Sequence, residues 1–433
     1  MTSARSDGSV AGELRGAKRV RTAHLIVQPL VDLRLVAPFS WLVPALLCMT
    51  ACSGSDARAR PGGAPSPEGT VATDSAKPAR DTTVVADSIR RPPMPLVPTP
   101  NPVRGLYVNR WAAIGDRMWQ LIDVAKRTEV NALVIDVKDD RGLVLYHSQV
   151  PLVKEIGADT TRPMSYRRLR AVLDTMRAHN IYPIARIVVA KDPLLAGAKS
   201  EWSIKRKRDS LPWLDKNGRP WLDPTHPEVW KYAGDLAAEA VNLGFSEVQF
   251  DYVRFPDEDR IIREAVFPLM NGRVRAQVIH DQLNYLRGLV KPLKVPMTID
   301  VFGLSATDTT DMGIGQKWEL FVDQVDVVLP MDYPSHFAPG TFGLGNPNAH
   351  PYATLEHALR DAKTRSAGIP NAARIVPWYQ DFTLGPPRYG AAQVLAQMRA
   401  GHDQGIDGWM LWNPGSRYSL DALKPESVAT VNP

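Results

Sequence analysis

Glu247-Val248-Gln249-Phe250-Asp251-Tyr252-Val253-Arg254-Phe255-Pro256 is a short apolar run that closes on a carboxylate, an arginine and a proline. Its length suits a buried strand better than a helix, with its polar groups collected toward the C-terminal end. Similar runs recur on both sides: Gly105–Asn109, Ala132–Val137, Tyr182–Val189, Met297–Phe302, Val325–Met331, Arg374–Tyr379 and Gly408–Trp412. Amphipathic stretches separate them, over Gly115–Lys126, Tyr166–His179, Pro227–Asn242, Val274–Val290, Thr354–Thr364 and Ala391–His402. Near-continuous apolar strands alternating with helices signal a parallel sheet covered on both faces. Eight units at about 42 residues each predict an α/β fold of the (β/α)8 TIM-barrel type. A doubly wound open sheet is the alternative, but it usually carries a glycine-rich phosphate turn after its first strand, where this chain has Arg110-Trp111-Ala112-Ala113-Ile114.

The 433 residues carry a net charge of +6, which invites a nucleic-acid reading until the charge is divided along the chain. Residues 1–52 hold six basic and three acidic side chains, 53–100 hold six and five, and 101–433 hold 40 and 38. Half the excess therefore lies in a leader, and the nearly neutral body gives no argument for a nucleic-acid partner. Both cysteines, Cys48 and Cys52, flank one apolar run, so the body has no disulfide framework or cysteine-based zinc site.

That run, from Leu35 to Ala51, follows a basic stretch and ends in Met49-Thr50-Ala51-Cys52-Ser53-Gly54. Small residues before a cysteine suit signal-peptidase cleavage, and the tetrapeptide resembles a bacterial lipobox, which implies cleavage before Cys52 and lipid attachment there. An uncleaved anchor is the alternative, since residues 35–55 are free of charge. Residues 1–51 thus read as a signal peptide, with the mature protein outside the cytoplasm and lipid-anchored to the cell envelope. Ser53 to Pro100 contains nine prolines and four glycines with few large apolar residues. Residues 52–100 are expected to be a disordered tether, and 101–433 to be the barrel.

In a barrel the working groups stand at the C-terminal ends of the strands. Those ends here carry Asn109, Asp136-Val137-Lys138-Asp139, Asp251-Tyr252-Val253-Arg254, Asp300, Asp332-Tyr333 and Trp412-Asn413, with Arg186 inside strand three. Carboxylates from strands two, four, five and six would converge on one cleft. Paired carboxylates are what glycoside cleavage requires, one to protonate the leaving oxygen and the other to attack the anomeric carbon or activate water. Trp111, Tyr252, Tyr333, Trp378, Tyr379 and Trp412 lie near the same ends and offer flat faces for sugars.

Five motifs carry a more specific likeness: Arg104-Gly105-Leu106-Tyr107-Val108, Val134-Ile135-Asp136-Val137-Lys138-Asp139, Val248 to Pro256, Leu329-Pro330-Met331-Asp332-Tyr333-Pro334 and Gly408-Trp409-Met410-Leu411-Trp412. Together they resemble the bacterial "putative glycoside hydrolase domain" family, which is distantly similar to TIM-barrel α-glycosidases. The likeness runs over roughly 103–424, nearly the whole body, and implies a barrel acting on carbohydrate.

By that resemblance Asp251, at the end of strand four, is the candidate nucleophile or charge-stabilising carboxylate, with Arg254 beside it; a structural Asp251–Arg254 ion pair is the alternative. Asp332, after strand six, is the first candidate for the general acid, and Asp300 on strand five the second. Strand alternation puts Asp136 and Lys138 on one face, as substrate ligands or as a buried salt bridge. Arg186 is a charge inside an apolar strand and must meet a carboxylate, Asp136 or Asp251. Trp378 and Trp412 are the preferred sugar platforms, with Asn109, Tyr252 and Tyr333 as further substrate contacts. Trp230 and Trp318 read as packing, and Trp213 and Trp221 as flanks of a hairpin turning at Asn217-Gly218.

No motif implies a cofactor. The histidines show no metal-binding spacing, and Asp308-Thr309-Thr310-Asp311-Met312-Gly313 misses the ligand alternation of a calcium loop. Two other functions stay open: a non-catalytic carbohydrate-binding barrel and a metal-dependent polysaccharide deacetylase or hydrolase.

Overall fold

The computed structural model describes residues 94–258 and 261–425; the expected signal peptide, Cys52 and nearly all of the tether lie outside them. Eight parallel strands form a closed ring: β1 (Arg104–Val108), β2 (Ala132–Lys138), β3 (Tyr182–Val188), β4 (Glu247–Asp251), β5 (Met297–Phe302), β6 (Val327–Met331), β7 (Arg374–Ile375 and Trp378–Gln380) and β8 (Trp409–Trp412). Each strand pairs with the next, and β8 returns to β1 through Arg104 opposite Trp409 and Leu106 opposite Leu411. The connecting helices are α1 (Arg117–Arg127), α2 (Tyr166–Ala178), α3 (Pro227–Leu243), α4 (Arg275–Val290), the short α5 (Trp318–Phe321), α6 (Pro351–Ser366) and α7 (Ala391–Asp403). The molecule is therefore the (β/α)8 TIM barrel that the repeated runs predict. Among the described residues no helix is long and apolar enough to cross a membrane.

Local chemistry sets the boundaries. Ser165 caps α2 by accepting from the Arg168 N–H, and Pro227 and Pro351 begin α3 and α6 where a missing N–H costs nothing. Gly244 ends α3 at φ 112°, a backbone angle costly for any residue with a Cβ. One expected strand, Arg374–Tyr379, is in fact two pieces. Pro377 has no N–H to give, so the ladder on β6 breaks after the Val376 N–H donates to the Val328 carbonyl, and pairing resumes at Trp378, opposite Met331 of β6 and Met410 of β8.

Strand alternation sorts the side chains into two apolar layers. Leu106, Val108, Leu133, Ile135, Ile187, Phe250 and Ile299 pack outward against Leu121, Leu173, Leu236, Leu283 and Leu359 of the helices. Tyr107, Val134, Ile184, Leu329, Trp378 and Met410 fill the barrel itself. Burying each large side chain is worth about 1.5–3 kcal/mol, so the barrel wall is a rigid support for polar groups placed among the inward positions. A Cβ at Gly105 on β1 would stand 2.3 Å from the Met410 sulfur, so any larger residue there would force the Met410 side chain to move.

Candidate active site

Arg186 stands at an inward position of β3, and its guanidinium gathers three carboxylates from three other strands. Nη1 donates to Asp136 Oδ1 at 2.5 Å, Nη2 pairs with Asp251, and Nε lies 3.6 Å from Asp300 Oδ2. The cluster is buried, with Arg186 at 4% exposure and Asp300 at 1%. A buried cation of this kind persists only when paired, and the three carboxylates supply the pairing. Tyr107 donates to Asp136 Oδ2 at 2.6 Å and stacks on Trp412 at 3.8 Å between centroids, while both rings lie within 5.4 Å of the guanidinium carbon.

The carboxylates differ in their surroundings. Asp300 Oδ1 accepts from Gln249 Nε2 and from Trp378 Nε1, both at 2.6 Å, whereas Oδ2 has no hydrogen-bond partner. Burial, and then the charge of Asp251, push the Asp300 carboxyl up to about 8 against the opposing pull of Arg186. Burial also raises Asp136 to about 6, with Arg186 and the Tyr107 hydroxyl working the other way. Asp251 pairs with Arg186 through Oδ2, and its Oδ1 accepts from the Tyr252 N–H at 2.5 Å. Directly after it the backbone enters the left-handed region at Tyr252, φ 55°, a conformation that costs a bulky residue about 1–3 kcal/mol. An ion-paired carboxylate beside a buried carboxyl that keeps its proton is the arrangement a glycosidase acid and its partner need.

Not every residue expected at the mouth joins this cluster. Asp332 is buried, but its oxygens have no hydrogen-bond partner, and Oδ1 lies against Gly303, where a Cβ would approach to 2.5 Å. Burial alone pushes it up to about 8; no charge of Asp251, Asp300 or Arg186 contributes. The charges of those three do reach Tyr333, the next residue, which packs inside the barrel. The structure therefore brings Asp251 together with Asp300 and sets Asp332 apart, because the chain turns at the end of β6, with the Tyr333 N–H donating to the Met331 carbonyl.

Lys138 does not share a face with Asp136. A register shift between the two, where Asp136 lies opposite Arg186 but Lys138 opposite Ile187, directs the lysine to a buried pair with Asp192 at 2.8 Å. Arg254 binds Asp257 at 3.0 Å and packs on Tyr252 and Phe302, so the expected Asp251–Arg254 pair is replaced by Asp251–Arg186. Trp378 is fully buried and holds Asp300, which leaves it no open face for a sugar; Trp412 stays partly exposed. Asn109 caps the short turn of helix that follows β1 and donates to the Pro414 carbonyl at 2.8 Å, tying β1 to the loop after β8.

Lys191 extends the rim, 2.9 Å from Asp140 and 3.3 Å from the Tyr252 hydroxyl. The segment after β3 forms the expected hairpin at Asp215–Gly218, and its Trp221 meets the edge of Tyr252.

Four contributors escaped the sequence reading: Tyr107, Gln249, Asp257 and His336. Tyr107 and Gln249 sit two residues before Asn109 and Asp251, a spacing that puts them on the same strand face and could have revealed them. His336, packed against Tyr333 and lowered to about 4 by burial, had no signal beyond its nearness to strand six. Among the described residues no group of three or more His, Cys, Asp or Glu side chains is arranged to hold a metal ion.

An eight-stranded parallel barrel with a buried carboxylate cluster gathered by an arginine and a half-open aromatic stack is what the sequence of this chain builds. The chain belongs to the family described as "putative glycosyl hydrolase domain", whose model matches residues 105–418. Among solved structures it is similar to a hypothetical protein from Ruminiclostridium thermocellum ATCC 27405, with 36% identity over 45% of this chain and 97% of that one, TM-score 0.40. The glycoside hydrolase domain of PgaB (BpsB) from Bordetella bronchiseptica shares 15% identity over 72% of this chain and 94% of that one, TM-score 0.51, and shows the same barrel fold. The alpha-galactosidase TtGalA from Thermus thermophilus aligns at 15% identity over 75% of this chain and 60% of that one, TM-score 0.45. No curated protein matches the chain.

Proposed function

We propose that this barrel hydrolyses glycosidic bonds in an oligo- or polysaccharide, with Asp251 and Asp300 as its working carboxylates. The observation that carries the reading is the Arg186 hub, which holds Asp251 as an ion-paired carboxylate while Asp300 is pushed up to about 8 beside it. At neutral pH Asp300 keeps its proton and delivers it to the leaving oxygen. As that bond breaks, Asp251 attacks the anomeric carbon or stabilises the positive charge that develops there. A water that gives its proton to the Asp300 carboxylate then adds to the anomeric carbon, releasing the sugar and restoring the acid. Asp136, Arg186 and Tyr107 keep the pair in place, and Trp412, stacked on Tyr107, offers its free face to a sugar ring.

In this reading the enzyme works outside the cytoplasm, tethered to the envelope by a lipid on Cys52; the Met49-Thr50-Ala51-Cys52 motif and the proline-rich stretch after it support that placement. The test of the activity is a hydrolysis screen of the full chain on a panel of oligo- and polysaccharides beside Asp251→Asn. Turnover by the wild type that falls at least ~10³-fold in the variant, with glycan binding retained, agrees with the proposal. Glycan binding without turnover on any member of the panel identifies a carbohydrate-binding barrel instead.

A further inference from the structure

The carboxylate hub is not the only built feature beside the ends of β1 and β8. A cavity of about 470 Å³ lies there, lined by Asn109, Trp111, Arg117, Gln120 and Arg417 among others. It adjoins the two strands that carry Tyr107 and Trp412, and the Asn109–Pro414 hydrogen bond ties its two walls together. Trp111 is 41% exposed, a large apolar ring left open to solvent, with the Arg110 guanidinium carbon 5.1 Å from its centroid. Arg110 itself is committed to the backbone carbonyls of Val144, Thr161 and Arg162.

Two other arginines, Arg117 and Arg417, line the cavity itself. Arg117 Nε donates to the Ser416 carbonyl at 2.9 Å and Nη1 to Gln120 Oε1 at 2.9 Å, and Arg417 is exposed. Among the described residues neither forms an ion pair with a carboxylate. Arg117 is lowered by burial and then by the positive charge of Arg417, so the two guanidiniums repel each other across the cavity. Two like charges placed together beside an open aromatic ring, with the amides of Asn109 and Gln120 in the same lining, are complementary to an anionic group on a flat ring. The bulk of the sugar would lie on Trp111 while its acid group met the exposed Arg417 fork and the Nη2 of Arg117, whose Nε and Nη1 are held by Ser416 and Gln120.

We propose that this cavity is a subsite for an acidic sugar unit, one bearing a carboxylate or a sulfate ester, which makes the substrate an anionic glycan. The proposal rests on the glycosidase reading for the word substrate, but the subsite is tested by binding alone. The full chain is titrated calorimetrically with trigalacturonate, its methyl ester and a sulfated neutral trisaccharide, beside Arg117→Gln, Arg417→Gln and, as an exposed arginine elsewhere, Arg399→Gln. The expected result is binding of one anionic trisaccharide at least ~10-fold tighter than of the ester, weakened by added salt, lost in either cavity variant and kept in Arg399→Gln. Which anion binds tells carboxylate from sulfate.

Equal affinity for acid and ester, discrimination that survives both cavity substitutions, or failure of both anionic trisaccharides to bind at millimolar concentration overturns the subsite. Cleavage of a neutral glycan with no preference for acid overturns it and leaves the glycosidase reading standing. Acid-selective binding by a protein that cleaves no glycan, anionic ones included, does the reverse.

Discussion

Asp332 and Asp300 show how little a residue's type says about its work. Both are buried aspartates pushed up to about 8, yet Asp300 is held by Gln249 and Trp378 beside Asp251, and neither carboxyl oxygen of Asp332 has a hydrogen-bond partner. A carboxyl whose folded pKa exceeds its value of about 3.9 in an unfolded chain favours the fold when protonated. Its contribution is complete below pH ~4 and is lost as pH rises through about 8. Asp300, Glu247, Asp136 and Asp223 are raised by burial as well, so Asp332→Asn removes one source of that loss among several. Urea unfolding at pH 5 and pH 8 should show wild-type stability falling on the alkaline side, and the variant losing less, by an amount on the order of a few kcal/mol. An identical fall in both proteins would place the Asp332 carboxylate in contact with water. Arg186 was legible from its setting, since a charge inside an apolar strand has to meet acids. The direction of Asp332 was not, because the turn at the end of β6 leaves no mark in the residue pattern.

The strands themselves were legible from their apolar runs, and the helices from their periodicity, to within a few residues at each end. What the pattern could not carry was departure from regularity. The register shift in β2 sends Lys138 to Asp192 while Asp136 stays inward, although strict alternation puts both on one face. The Lys138–Asp192 pair is fully buried, so Lys138→Met strands a carboxylate in the core and should cost about 3–5 kcal/mol in chemical denaturation. Adding Asp192→Leu should restore part of it, since a buried pair replaced by apolar groups is often neutral while the cap that Asp192 Oδ1 makes with the Leu195 N–H is lost. A single variant as stable as the wild type would mean that the Asp192 carboxyl needs no cation beside it. The break in β7 was readable in hindsight from Pro377, which cannot donate to a ladder.

For the whole molecule, dividing the +6 charge along the chain separated a basic leader from a nearly balanced barrel, and the closed ring of eight strands gives that barrel its mouth. The envelope anchor is tested by Cys52→Ser. Fatty-acid labelling and membrane association of the wild type should both vanish in the variant, and labelling that persists would place the lipid elsewhere or remove it from the account. The central claim is that the carboxylate pair joined by Arg186 cleaves glycans. It is tested most directly by kcat of Asp300→Asn and Asp332→Asn, side by side, on a glycan the wild type hydrolyses. The account predicts a loss of about 10²–10⁴-fold for Asp300→Asn and near wild-type turnover for Asp332→Asn. Full activity in Asp300→Asn with loss in Asp332→Asn would contradict it.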